Sequence, residues 1–451
     1  MKKGASACLS VPVTADVSLE GMHTTQKPIG FWSAVSMGVG AMVGAGIFAL
    51  LGEASAIAGS AVYISFIAGG IIGLSSAYSL GKLGAAFPSS GGIIEYLSQS
   101  YGIGFFTGTM SIMLYFSAIV SLSLIAKGFS NYAVTFLPNN VSVIWRPIFS
   151  SIIIVLFVLV NLKGARDVAV WERLTVAIKF VVLCGLSIAG ILFLNPNLLT
   201  PANYPPSSHI LYSLAVTFFA FEGFRVITNT AEDMPEPSST LPKAMMSAVL
   251  LVMLLYVAIS FAVFGNLPVE KVIAAKDFAL AQAALPVFGN VGFTVVTVTA
   301  LIATASAINA NLYAVTNVTY QLAKDGELPQ AFGVPIAHSR EGLVISGVLV
   351  IVLSLLFHLT EIAAIGSISV LFVHAVTHIG HLRVITKTGA SFLLVLLATV
   401  LCLSAMVLAL VYVNQQSNQV GLVLLGFLII AGSTEFFLQK IYRREVKPRI
   451  N

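Results

Sequence analysis

Twelve apolar stretches follow one another along the chain with little between them: 31–58, 60–86, 103–137, 146–162, 170–194, 209–231, 242–264, 291–322, 342–358, 361–385, 390–413 and 420–438. A helix that crosses a bilayer needs about 20 apolar residues. Inside hydrocarbon every backbone polar group must find its partner within the protein, which for apolar segments of this length means a bundle of helices. Only 9% of the residues are charged, against roughly 25% in soluble domains. The expected fold is an all-α polytopic membrane protein with 12 transmembrane helices. Residues 29–440 would form a single transmembrane domain between a tail, 1–28, and a basic tail, 441–451. The polar start of the chain lacks a basic region leading into a short apolar core and cleavage site, so no removable signal peptide is expected.

Lys and Arg concentrate on one set of loops and ends: Lys163, Arg166, Arg173, Lys243, Lys324, Arg340, Arg383, Lys387 and both tails. The positive-inside rule then puts both termini in the cytoplasm of a multi-pass protein of the cell membrane. The net charge of +5 is this topological bias, spread over many short loops, and no nucleic-acid partner is expected. Cys8, Cys184 and Cys402 make no disulfide framework. Neither HExxH, GxSxG nor GxxxxGK[ST] occurs, so no enzyme chemistry and no cofactor are expected. His374, His378 and His381 share one helix face by spacing, and imidazole binds metals readily. No thiolate or carboxylate completes a ligand set beside them. An interfacial place is expected for His378 and His381, next to Arg383, and a hydrogen-bonded core place for His374.

The run MGVGAMVGAGIF, residues 37–48, carries five glycines. Its GxGxxxG spacing lacks the strand that a dinucleotide loop requires. Gly40 and Gly44 make a helix-contact face, whereas Gly44-Ala45-Gly46 lowers the cost of unwinding a helix at mid-depth. Unwound backbone is tolerated there only around a cavity, and transporters built from inverted repeats use paired interruptions of this kind. A matching interruption is legible in segment 6, AVTFFAFEGFRVITNTAED (215–233), where Glu222 and Arg225 flank Gly223. Charges at such depth are costly, although an i, i+3 ion pair on a continuous helix also accommodates them. Long segments 3 and 8 fit a five-plus-five repeat, 31–194 and 209–385, with 390–438 appended. Lys179 lies in segment 5, about 9 Å past Arg173 along a helix. It is either a buried group that takes up and releases a proton or a side chain snorkelling to the interface.

FWSAVSMGVGAMVGAGIF, TFFAFEGF with NTAEDMPEP, and YQLAKDGELPQAF (320–332) together resemble the amino acid, polyamine and organocation (APC) transporter superfamily over roughly residues 28–440. AKGFSNY (126–132) and LTVAIKFVVLCG (174–185) are similar to its sodium-independent, proton-coupled members of the ApcT type. The resemblance implies a LeuT-like fold with helices 1 and 6 broken. It implies a substrate carboxylate on the amides of Gly44, Ala45 and Gly46, a substrate ammonium near Met42, Phe219 and Glu222, and Phe219 as a gate. It also implies Lys179 as the proton-coupling group, touching the Gly40 carbonyl and a hydroxyl of Thr304 or Ser306.

Glu222 and Arg225 depart from the family pattern, which is usually apolar at the first position and acidic or small at the second. Three consequences are open: Glu222 selects a cationic group or binds a second proton, Arg225 attracts an anionic group, or the two neutralise each other. Glu53 reads as a second protonatable group or a hydrated vestibule carboxylate. Ser117 and Ser121 either face the site or pack between helices. The expected function is a proton-coupled, sodium-independent amino acid transporter working by alternating access, with amino acid, protons and lipid bilayer as its partners. The alternatives are an amino acid or amine exchanger independent of a proton gradient and, from another class, a channel or an intramembrane enzyme.

Overall fold

A computed structural model describes residues 29–89, 91–163, 168–324, 328, 330–337, 339–416 and 418–440; both expected tails lie outside them. Each apolar segment read from the sequence falls on helix. The first part comprises α1 (Phe31–Ala58), α2 (Val62–Ala86), a short α3 (Ile93–Tyr101), α4 (Phe105–Ala133), α5 (Asn139–Lys163) and α6 (Val168–Leu192). Segment 6 follows as α7 (Ser207–Tyr212), α8 (Leu214–Phe219) and a 3₁₀ helix, Glu222–Asp233. Then come α9 (Pro237–Phe264), α10 (Val269–Ala274), a 3₁₀ turn Lys276–Phe278, and α11 (Ala279–Lys324). A two-residue hairpin, β1 (Pro335–Ile336) and β2 (Ser339–Arg340), precedes α12 (Glu341–Leu356). The chain closes with α13 (Leu359–Arg383), α14 (Ile385–Thr388), α15 (Phe392–Gln416) and α16 (Asn418–Lys440). Among the described residues, nine helical stretches are long and apolar enough to cross a membrane, accompanied by three shorter apolar helices. The chain is an all-α polytopic membrane protein.

Burial sorts the helices into an inner and an outer set. α1 is enclosed along its length by α9, α11 and the 3₁₀ part of segment 6, while α13 packs on α4 and α15. α5, α6 and α15 turn Trp145, Leu156, Val181, Leu192, Leu393 and Val400 outward. In water such a surface would aggregate; in lipid it is the ordinary contact face, because acyl chains are as apolar as leucine.

The expected interruption of segment 1 is absent, because α1 runs as one helix through Gly44, Ala45 and Gly46. Its glycines serve close approach instead of unwinding. A Cβ on Gly44 would run into Ala307 of α11, and one on Gly46 into the Tyr256 hydroxyl of α9 and the Ala220 carbonyl. Segment 6 is interrupted. α8 ends at Phe219, the chain turns at Ala220-Phe221, and twelve residues of 3₁₀ helix follow, where runs beyond 3–4 residues are uncommon and often mark a hinge. Segment 8 is longer than expected, and Gly289 (φ 60°, ψ −156°) divides α11 into a short leading piece and the span proper. That φ lies in the region glycine enters without Cβ strain.

Candidate functional site

The middle of α1 meets the interruption of segment 6, and there a small cavity opens, lined by Met42, Gly46, Ser121, Phe219, Glu222 and Arg225 among others. Absence of a side chain at Gly223 lets segment 6 lie against the backbone of Ala41 and Met42, where a Cβ would clash. Tyr256 joins both walls: its hydroxyl donates to the Met42 carbonyl at 2.8 Å and lies 3.3 Å from the Ala220 carbonyl. The change of helix type deprives the last carbonyls around α8 of i+4 partners, and Tyr256 occupies one of them. Tyr256 carries no motif in the sequence; its one signal is a hydroxyl halfway along an apolar segment. Asn311 of α11 was also missed. Together with Arg225 and Val226 it lines both this cavity and a second one that extends past Thr228 and Asn229.

Glu222 is 4% exposed and forms an ion pair with Arg225. Its other oxygen lies 3.4 Å from Nε2 of His374. The two side chains are in the contact that mutual neutralisation requires. A pocket with one anion and one cation already in contact suits a small solute that itself carries both charges, since neither charge is left in excess. Phe219 is buried, and its ring packs against Gly366 of α13 and forms part of the cavity wall. Gly44, Ala45 and Gly46 lie within continuous helix, so their amides are committed to i−4 carbonyls. They do not offer the free N–H groups expected of a broken helix.

Lys179 of α6 is 1% exposed and its ammonium donates to the Gly40 carbonyl of α1 at 2.5 Å. Snorkelling is thereby excluded, because the side chain ends on a neighbouring helix in the protein interior. Thr304 of α11 is buried, with its hydroxyl donating to the Ala300 carbonyl 2.7 Å away on its own helix, and Ser306 is half-buried. Ser117 likewise turns its hydroxyl back to the Leu114 carbonyl, while Ser121 faces the cavity.

Glu53 corrects another expectation. It is buried, 3% exposed, and paired with Lys276 at 3.3 Å, so it is not a hydrated vestibule carboxylate. Next to Lys276, Asp277 receives Arg146 of α5 at 2.9 Å and Asn131 of α4 at 3.1 Å. His378 and His381 are buried, not interfacial. His378 lies 2.8 Å from Ser79 and 3.0 Å from Ser76 of α2, and His381 lies 2.8 Å from both Ser79 and Thr388.

A family model described as amino acid permease matches residues 29–432. The inner membrane transport protein YbaT of Escherichia coli is 32% identical over 408 residues, 90% of this chain and 95% of its own. An uncharacterized protein of Methanocaldococcus jannaschii is 34% identical over 87% of this chain and 90% of its own. The serine/threonine exchanger SteT of Bacillus subtilis is 25% identical over 69% of this chain and 72% of its own.

Proposed function

The chain belongs to the amino acid permease family, and from that premise we propose that it is a secondary active amino acid transporter of the cell membrane, proton-coupled and sodium-independent, like the ApcT type. It has twelve spanning helices, a five-plus-five inverted repeat and both termini in the cytoplasm. The amino acid binds in the cavity between α1 and segment 6, against Met42, Gly46, Phe219, Glu222 and Arg225. Lys179 carries the coupling proton, and the observation that supports this is its ammonium on the Gly40 carbonyl in the protein interior. A protonated lysine holds α1 to α6 by a charge-assisted hydrogen bond, the strong kind. A neutral amine loses that charge assistance, so protonation biases two arrangements of α1, which is what alternating access requires.

The test is uptake of the protein amino acids into proteoliposomes with and without an imposed pH gradient, each with and without sodium. Accumulation that follows the pH gradient and ignores sodium is expected. Accumulation that requires sodium, or none under either gradient, overturns the reading. A second reading, obligatory exchange of one amino acid for another, draws on the relative named as an exchanger; it is met if uptake requires internal amino acid and ignores the pH gradient.

A further inference from the structure

We propose that His374, His378, Ser79 and His381 form a proton relay from Glu222, at the interruption of segment 6, to the end of α13 that carries Arg383. This rests on the proton-coupled reading and adds a second travelling proton to that of Lys179. In the proposed orientation the relay opens to the cytoplasm.

The three histidines lie at i, i+4 and i+7 of α13, all fully buried. Nε2 of His374 is 3.4 Å from Glu222 Oε2, and among the described residues neither nitrogen of this ring has a hydrogen-bond partner. The His374 and His378 rings are in edge-to-face contact, with centroids 5.9 Å apart. Beyond it the chain of contacts is continuous. Ser79 Oγ lies 2.8 Å from Nδ1 of His378 and 2.8 Å from Nδ1 of His381, and Nε2 of His381 lies 2.8 Å from Thr388 Oγ1. Thr388 is half-buried and donates to the Ile385 carbonyl. The charged and titratable groups facing the row are Glu222 and Arg225 from segment 6, Cys402 of α15 through Ser76, and Tyr101 of α3, whose ring lies under Arg383.

Ser79 couples the tautomers of the two rings. Its hydroxyl has one proton, so it can donate to only one of the two Nδ1 atoms and must accept from the other. With His378 donating, Ser79 donates to His381, whose Nε2–H then donates to Thr388. A proton leaving Glu222 passes to His374 and, once Nε2 of His378 releases the hydrogen bond it accepts from Ser76, on to that nitrogen. His378 releases its Nδ1–H to Ser79, Ser79 gives its own proton to Nδ1 of His381, and His381 releases its Nε2–H at Thr388. One proton enters and one leaves; His378 and His381 finish as their other neutral tautomers and Ser79 as a hydroxyl. A purely structural role leaves unexplained why the ring nearest the site keeps two buried nitrogens without a hydrogen bond among the described residues. Ionisable groups in a membrane interior commonly mark proton paths.

The test is made on full-length protein in proteoliposomes, measuring proton influx with trapped pyranine and influx of the best-transported labelled amino acid in the same vesicles. Wild type should carry about two protons per substrate, and Ser79→Ala and His381→Gln about half that, with counterflow exchange intact and Ser79→Thr restoring the ratio. A wild-type ratio of one, or an unchanged ratio in Ser79→Ala, overturns the relay and leaves the Lys179 reading standing. Loss of counterflow in parallel with proton influx in Ser79→Ala also overturns it, by showing that the serine only holds α2 to α13. A wild-type ratio of zero overturns both.

Discussion

Replacing Lys179 by methionine keeps a long apolar stem in the space between α6 and α1 and removes only the ammonium. The Gly40 carbonyl is not orphaned, since it still accepts a bond from the amide four residues on in the continuous helix α1. What is lost is one hydrogen bond from a charged donor, 2.5 Å long and wholly buried. Such bonds contribute about 1.5–3 kcal/mol, equivalent to roughly a 10- to 150-fold change in the balance between two conformations. The variant is expected to reach the membrane and to catalyse counterflow, which needs no proton release. Its proton influx per substrate should fall by the one proton that Lys179 carries, and its accumulation ratio under a pH gradient should fall with it. Lys179→Met vesicles with the wild-type proton-to-substrate ratio and the wild-type accumulation ratio under the gradient would refute the argument, whatever their absolute rate.

Two further outcomes follow from the same geometry. Glu222→Gln leaves the Arg225 guanidinium in a pocket without its counterion, a loss of about 3–5 kcal/mol for buried pairs; the melting temperature in detergent should drop, and the double variant Glu222→Gln, Arg225→Met should recover most of it. A double variant melting no higher than the single one would mean that the pair does not act as a unit. Gly223→Ala should nearly abolish uptake despite alanine's better helix propensity, because the added methyl meets backbone atoms of Ala41 and Met42 that cannot rotate away, and overpacking costs about 1–3 kcal/mol or more. Uptake at wild-type rates would show that α1 and segment 6 are not held this close.

The helices were legible because hydrophobic length is a property of the local sequence, and the lipid requirement leaves an apolar segment few alternatives. The interruption of segment 6 was legible for a related reason: Glu222, Gly223 and Arg225 are each costly in a continuous spanning helix. The glycines of segment 1 misled because one residue type serves two ends. Lacking a Cβ, glycine permits both unwinding and close packing, and only the partners of Gly44 and Gly46, namely Ala307, Ala220 and Tyr256, decide between them. Those partners lie far along the chain, so no local pattern reveals them. The same holds for His378 and His381. Their spacing on one face could be read, but Arg383 nearby suggested an interface, and the hydroxyls that bury them come from α2 and α14. Lys179 and Gly40, 139 positions apart, were linked through family likeness and by no feature of the intervening chain.

Lys276 and Asp277 are adjacent in the chain, yet between them they hold Glu53 of α1, Asn131 of α4, Arg146 of α5 and Thr360 of α13. Four helices are thus clasped at one end by a single dipeptide. No one of them can swing outward there without tugging on the other three through a backbone that cannot stretch, so that end unlatches as a set or stays shut.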